Sequence, residues 1–203
     1  MTSNILRANI EYSLEVHSRL LDACLPSLTS AAEALILAYR AGNKALFFGN
    51  GGSAADAQHL AGEFLGHYRS TRRPLPALAL HGNSSALTAI ANDYGYQYVF
   101  SRQLEALAAP GDVAVGISTS GSSLNVIEGL QCAHRLGLVT IALTGDSGGQ
   151  LASLADILIA VPSSDTPRIQ ECHILLGHAL CDAIEQELMA GDSFTLSSQG
   201  SSA

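Results

Sequence analysis

The sequence predicts an α/β fold, a three-layer α-β-α sandwich around a five-stranded parallel sheet, with two helices ahead of the first strand. Three observations carry this expectation. From residue 44 onward, short apolar runs of strand length alternate with longer stretches of helical period. Those runs are almost unbroken by polar residues, as strands covered on both faces require. Two of the strand-to-helix turns, Gly49-Asn50-Gly51-Gly52-Ser53 and Ser118-Thr119-Ser120-Gly121-Ser122-Ser123, are rich in glycine and serine.

Taken in order, Ile5, Ile10, Leu14, Leu20 and Leu21 recur at helical spacing, and Leu28, Ala31, Leu35, Ile36 and Tyr39 do so again beyond Pro26. Two helices therefore precede the first strand, divided at Pro26, the second ending near Gly42. Strands are expected at 45–48, 77–80, 112–117, 139–143 and 157–161. Helices are expected at 54–68, 84–92, 97–108, 124–136 and 167–189, with a short one at 149–154. Pro110-Gly111 supplies the break before the third strand. Right-handed crossovers leave few topologies, and the flavodoxin-like order 2-1-3-4-5 fits five strands. In that order the sheet reverses between the first and third strands, the two that carry the Gly/Ser turns, so the ligand crevice coincides with both loops. Residues 1–190 read as a single domain, and 191–203, small and polar apart from Phe194 and Leu196, as a disordered tail.

With 203 residues, 47% of them hydrophobic and 14% charged, the chain suffices for one full core and is poor in surface charge. A low charged fraction points to surface buried between subunits, hence a homo-oligomer. A net charge of -8 gives no footprint for nucleic acid or an anionic membrane, so any phosphate site must be local. Cys24, Cys132, Cys172 and Cys181 lack C-x-x-C spacing and read as buried, reduced thiols. Charged residues interrupt the N-terminal stretch, excluding a signal peptide, and no apolar run approaches the ~20 residues that span a bilayer. The expected location is cytoplasmic.

Each Gly/Ser turn sets unpaired N–H groups and the positive end of a helix at one point, a natural anion site. Two such loops suggest one phosphorylated ligand held between them. Gly49, Gly51 and Ala54 also fit a dinucleotide fingerprint, but the next strand runs into His81-Gly82-Asn83 where that fingerprint expects an acidic residue. A Walker loop is excluded because no Gly-Lys-Ser/Thr follows either turn. Plain tight connections remain an alternative, against which the hydroxyls of the second loop argue.

In the helix after the first loop, His59 and Glu63 stand four apart on one face; the bland reading is a surface contact. Gln170 and His178 in the last helix project from nearly the same face, two turns removed, while Glu171 and His173 point elsewhere. Two imidazoles, a carboxylate and an amide oxygen would make a four-ligand site for a divalent metal, zinc foremost, although the amide is an unusual zinc ligand. Such a metal polarises a carbonyl and stabilises an enediolate, and Glu63 or His178 could move the proton. Arg69, Arg72 and Arg73 read as a solvated face or a subunit contact, and His17, His67, His81 and His134 as surface or satisfied histidines. Tyr94 and Tyr96 fit a sugar pocket or loop-end packing equally well.

Four separated motifs, in order, resemble a known family: Gly49 to His59, Ala91-Asn92-Asp93-Tyr94-Gly95-Tyr96, Ser118-Thr119-Ser120-Gly121, and Pro167-Arg168-Ile169-Gln170-Glu171-Cys172-His173. They look like the sugar isomerase (SIS) domain of the sedoheptulose 7-phosphate (phosphoheptose) isomerase family, from the first helix to Met189. The resemblance implies a homotetramer with active sites at subunit interfaces and one zinc per subunit. It implies aldose–ketose interconversion through an enediol, giving D-glycero-D-manno-heptose 7-phosphate and opening ADP-heptose synthesis. By resemblance, Ser118, Thr119, Ser120 and Ser123 bind the phosphate, and Asn50, Gly51, Gly52, Ser53, Asn92, Asp93 and Gln170 meet the substrate. His59, Glu63, Gln170 and His178 match the zinc ligands, with Glu63 and His178 the proton-transfer groups. Asp165 matches no catalytic position and reads as a cap or turn. The alternatives are the DnaA initiator-associating scaffold, which shares the glycine loop and R-I-Q motif but lacks equivalents of Glu63 and His178, and an isomerase of another sugar phosphate.

Overall fold

The structure is a computed structural model, and it describes residues 1–190. The tail expected at 191–203 lies outside the described residues. Two helices, α1 (Thr2–Ser18) and α2 (Leu20–Arg40), lead into β1 (Ala45–Gly49) and α3 (Gly52–Leu65). Then come β2 (Ala77–Ala79), α4 (Ser84–Tyr94), a 3-10 turn (Tyr96–Tyr98), α5 (Ser101–Leu107) and β3 (Val113–Ile117). The chain continues through α6 (Leu124–Arg135), β4 (Val139–Thr144), a second 3-10 turn (Gly149–Ser153), β5 (Ile157–Ala160) and α7 (Thr166–Met189).

The five strands pair in parallel in the order β2-β1-β3-β4-β5, as expected. Alternate residues of each strand feed two cores. Ala45, Phe47, Val115, Ile117, Ile141 and Leu143 face α2, α3 and α7, whereas Leu46, Phe48, Ala114 and Ala142 face α5 and α6. A strand with apolar groups on both faces stays in register only when both are covered, and the two helical layers do this.

Four expectations need correction. The helix break falls at Arg19, and Pro26 sits inside α2. Proline there removes one backbone hydrogen bond, yet Cys24 before it and Ala31, Leu35 and Ile36 after it bury in one core, and that shared burial keeps the helix continuous. The helix expected at 97–108 is split into a 3-10 turn and α5, because Gly95 takes φ +100 and redirects the chain after α4. Although no uninterrupted apolar run reaches membrane-spanning length, α2 is by length and composition apolar enough to cross a membrane. Part of that apolar character packs on β5 and α7, with Leu20, Cys24, Leu35 and Tyr39 buried, while Leu21, Leu25 and Leu37 stay exposed. Finally, Arg72 is not solvated. Its guanidinium is buried against Glu185, and it donates to the carbonyls of Glu63, Phe64 and Gly66 at the C-terminal end of α3 and to that of its neighbour Arg73. The four cysteines are free and buried, and burial pushes the Cys172 and Cys181 thiols up to about 11 and about 12.

Candidate active site

β1 and β3 lie side by side, with Gly49 opposite Ile117, so the two Gly/Ser loops leave the sheet at adjacent points. Gly51 holds φ +56 and ψ -120, a conformation natural only to glycine, and from it the chain turns directly into α3. In the second loop Ser123 stands at the N-cap of α6 without capping it; its Oγ lies 2.9 Å from Ser118 Oγ. The leading N–H groups of α6 are therefore left without a side-chain acceptor, the arrangement in which a helix start receives an anion. Ser120 Oγ accepts from Ser122 N at 3.2 Å, and Thr119 O accepts from Gly145 N, anchoring this loop to the end of β4.

The loops are also joined to each other. Asn50 and Asn125, in the first turn of α6, exchange two amide hydrogen bonds of 2.8 Å, and Tyr96 Oη donates to Asn50 Oδ1 at 3.1 Å. Asn125 is buried, and sequence reasoning missed it, because a lone Asn at a helix start is as readily a cap or a turn residue. His81 Nε2 lies 2.7 Å from Gly49 O, tying the ends of β1 and β2 together. Burial pushes the His81 pKa down against the opposing pull of that carbonyl, so the neutral ring donates from Nε2. Asn92 and Asp93 are exposed on the last turn of α4 and bond to each other at 2.8 Å; Tyr96, a few residues on, is the group that reaches Asn50.

Helices α3 and α7 pack in the same direction. A Cβ on Gly177 would fall 2.6 Å from Leu60 Cδ2, and one on Gly52 would strike the Gln170 amide. These two glycines allow the close approach, which seats Gln170 over the start of α3 and brings His178 to His59. The two Nε2 atoms are 2.8 Å apart, and Glu63 Oε1 lies 3.3 Å from His59 Nε2. Donor atoms of His59, Glu63 and His178 all fall within 4.8 Å of one another. Ligands at ~2.0–2.1 Å from a tetrahedral metal are separated by about 3.3 Å, so this set fits a divalent cation with little movement. The cluster is open, with the His59 side chain 48% and that of Glu63 24% exposed. One turn before His59, burial raises the Asp56 carboxyl despite the opposing His59, and its Oδ2 has no partner. His173, as helical phase implies, points away: it is buried, bonds Thr144 O at 3.1 Å, and is pushed by burial to about 4.

A parallel sheet with paired Gly/Ser loops at its reversal point and this donor cluster beside them define a SIS-domain protein, and the family described as the SIS domain matches residues 10–145. Among curated relatives, a phosphoheptose isomerase of Aquifex aeolicus (strain VF5) is 53% identical over 174 residues, 86% of this chain and 91% of its own length. A solved phosphoheptose isomerase from Neisseria gonorrhoeae superposes with TM-score 0.87 at 44% identity, covering 92% of this chain and 100% of that one. One from Francisella tularensis gives 0.89 at 38% identity over 92% and 99%. The chain belongs to the phosphoheptose isomerase family.

Proposed function

We propose that the protein interconverts sedoheptulose 7-phosphate and D-glycero-D-manno-heptose 7-phosphate, the opening step of ADP-heptose synthesis, as a single-domain cytoplasmic homotetramer holding one zinc per subunit. The observation that carries this reading is the convergence of His59, Glu63 and His178 across α3 and α7. His59, Glu63 and His178 would hold the cation with Gln170 as fourth ligand. A bound divalent ion supplies Lewis-acid polarisation to the substrate's carbonyl and hydroxyl oxygens.

The chain's own groups do the rest. Ser118, Thr119, Ser120 and Ser123, with the N–H groups opening α6, take the phosphate; Asn50, Gly51, Gly52, Ser53, Asn92 and Asp93 face the sugar. Glu63 Oε1 is turned to His59, which leaves Oε2 to accept a proton from C1. Glu63 returns that proton to C2 of the enediol, while His178 relays the hydroxyl proton from O1 to O2. The half-exposed cluster, and an α1 that leaves Ile5, Leu6, Ile10 and Leu14 exposed, support a tetramer in which a second subunit closes each site.

The test is turnover of sedoheptulose 7-phosphate by metal-stripped protein before and after zinc addition, followed by NMR of the sugar. Heptose 7-phosphate is expected, rising with zinc. No conversion in either state overturns the enzymatic reading in favour of a non-catalytic scaffold, for which binding to the replication initiator is the next assay. Conversion of another sugar phosphate alone overturns the substrate.

A further inference from the structure

The segment after α3, residues 66–70, belongs to no helix or strand, yet it is held from behind. Glu185 of α7 reaches beneath it and accepts three successive backbone N–H groups, from Tyr68 at 2.9 Å, Arg69 at 2.8 Å and Ser70 at 2.6 Å. Arg72 Nε completes the carboxylate at 2.9 Å, and Arg72 Nη2 donates to Glu63 O, also at 2.9 Å. One buried ion pair thus fixes both the helix turn that carries Glu63 and the loop that carries Tyr68.

The Tyr68 ring lies against His178, centroids 5.4 Å apart and planes 29° from parallel. The His178 ring also meets that of His59 at 5.0 Å and 59°. An imidazole on a helix surface is free to turn about χ2, and each turn moves its nitrogens off line. A stacked ring covers one imidazole face and leaves the edge as the working surface. Here that edge carries Nε2, 2.8 Å from His59 Nε2.

We infer that Tyr68 is a positioning residue for His178: its ring, anchored through the Arg72–Glu185 pair, sets the plane of the imidazole that faces His59 and Glu63. The ring, not the hydroxyl, makes the contact, so phenylalanine should replace tyrosine and an aliphatic residue should not. The functional half of this inference rests on the proposed roles of His178.

The experiment compares full-length Tyr68→Phe and Tyr68→Leu with wild type in three readouts: steady-state isomerisation of sedoheptulose 7-phosphate, zinc affinity by chelator competition, and the His178 ring resonances by histidine-labelled NMR. Outer groups that orient metal ligands typically contribute ~10–100-fold. Tyr68→Leu should therefore lose about tenfold in kcat and in zinc affinity, with KM nearly unchanged, and Tyr68→Phe should match wild type. The His178 ring protons, shielded by the stacked ring, should move downfield in Tyr68→Leu only. Equal behaviour of the two variants overturns the inference, as does a Tyr68→Leu loss confined to KM, which would make Tyr68 a substrate contact. Unshielded His178 resonances in the wild-type protein overturn it without any variant. A wild type with shielded resonances but neither turnover nor zinc binding would instead sink the proposed function and leave the positioning intact.

Discussion

Two polar clusters lie between α3 and α7, about 10 Å apart along α7, and they are built in opposite ways. In one, the Arg72 and Glu185 side chains are 1% and 2% exposed, and both carboxylate oxygens are met, Oε1 by two backbone N–H groups and Oε2 by a third and the guanidinium. Burial alone would raise the Glu185 carboxyl, and the three N–H groups with Arg72 outweigh it and hold the pKa below the ordinary value. In the other, His59, Glu63 and His178 bring their donor atoms together in a half-open setting. A saturated polar cluster is finished and serves the fold. An unsaturated one, held as firmly by the same two helices, is what a cation and a substrate require.

The comparison breaks most sharply at Glu63. Glu63→Gln keeps the shape and removes the proposed proton acceptor, so turnover should fall by ~10²–10⁴-fold while the thermal midpoint stays that of wild type. Wild-type turnover in this variant would overturn the assignment of Glu63 to proton transfer. Glu185→Ala should do the reverse. It leaves the Arg72 charge buried without its partner, a loss of ~3–5 kcal/mol by denaturant titration, with turnover per folded molecule reduced far less than in Glu63→Gln. The pH dependence carries the same sign. A carboxyl whose folded pKa is depressed contributes its full stability above the ordinary 4.5, and that contribution is lost as pH falls from there through the lowered folded value. Glu185→Ala should therefore flatten the stability–pH curve in that acid range, and an unchanged slope would mean the pair does not act as a clamp.

The unequal legibility of the two clusters in the sequence has a physical cause. His59 and Glu63 share a helix at i, i+4, and the Gly/Ser loops sit at strand ends that a parallel sheet brings together, so periodicity and topology single them out as candidates, to which the family resemblance adds roles. Arg72 and Glu185 are 113 residues apart, and a lone arginine beside two others resembles a solvated patch until tertiary packing joins it to its carboxylate. The same holds for Asn50 and Asn125, 75 apart, and for Tyr68, a loop residue whose partner ring is on α7. Pro26 shows the limit of local rules, since burial on both sides of it outweighs a lost hydrogen bond.

Ser120 occupies a middle position between the two clusters, which makes it the finest test of the distinction. Its hydroxyl is partly satisfied, accepting from Ser122 N at 3.2 Å, while Ser120 and Ser122 themselves are exposed. With Ser120 in its proposed role, Ser120→Ala removes one hydrogen bond to a charged phosphate, worth about tenfold or more in affinity. It also frees the Ser122 N–H, which can turn to the same anion and offset part of that loss. KM for the phosphorylated sugar should therefore rise by about threefold at constant kcat, with the thermal midpoint unchanged. A larger rise would show that the hydroxyl is a principal donor and the loop less adaptable than its own hydrogen bonds indicate. No rise would place the phosphate elsewhere on the loop, on the backbone N–H groups that Ser123, bonded to Ser118 instead, leaves uncapped.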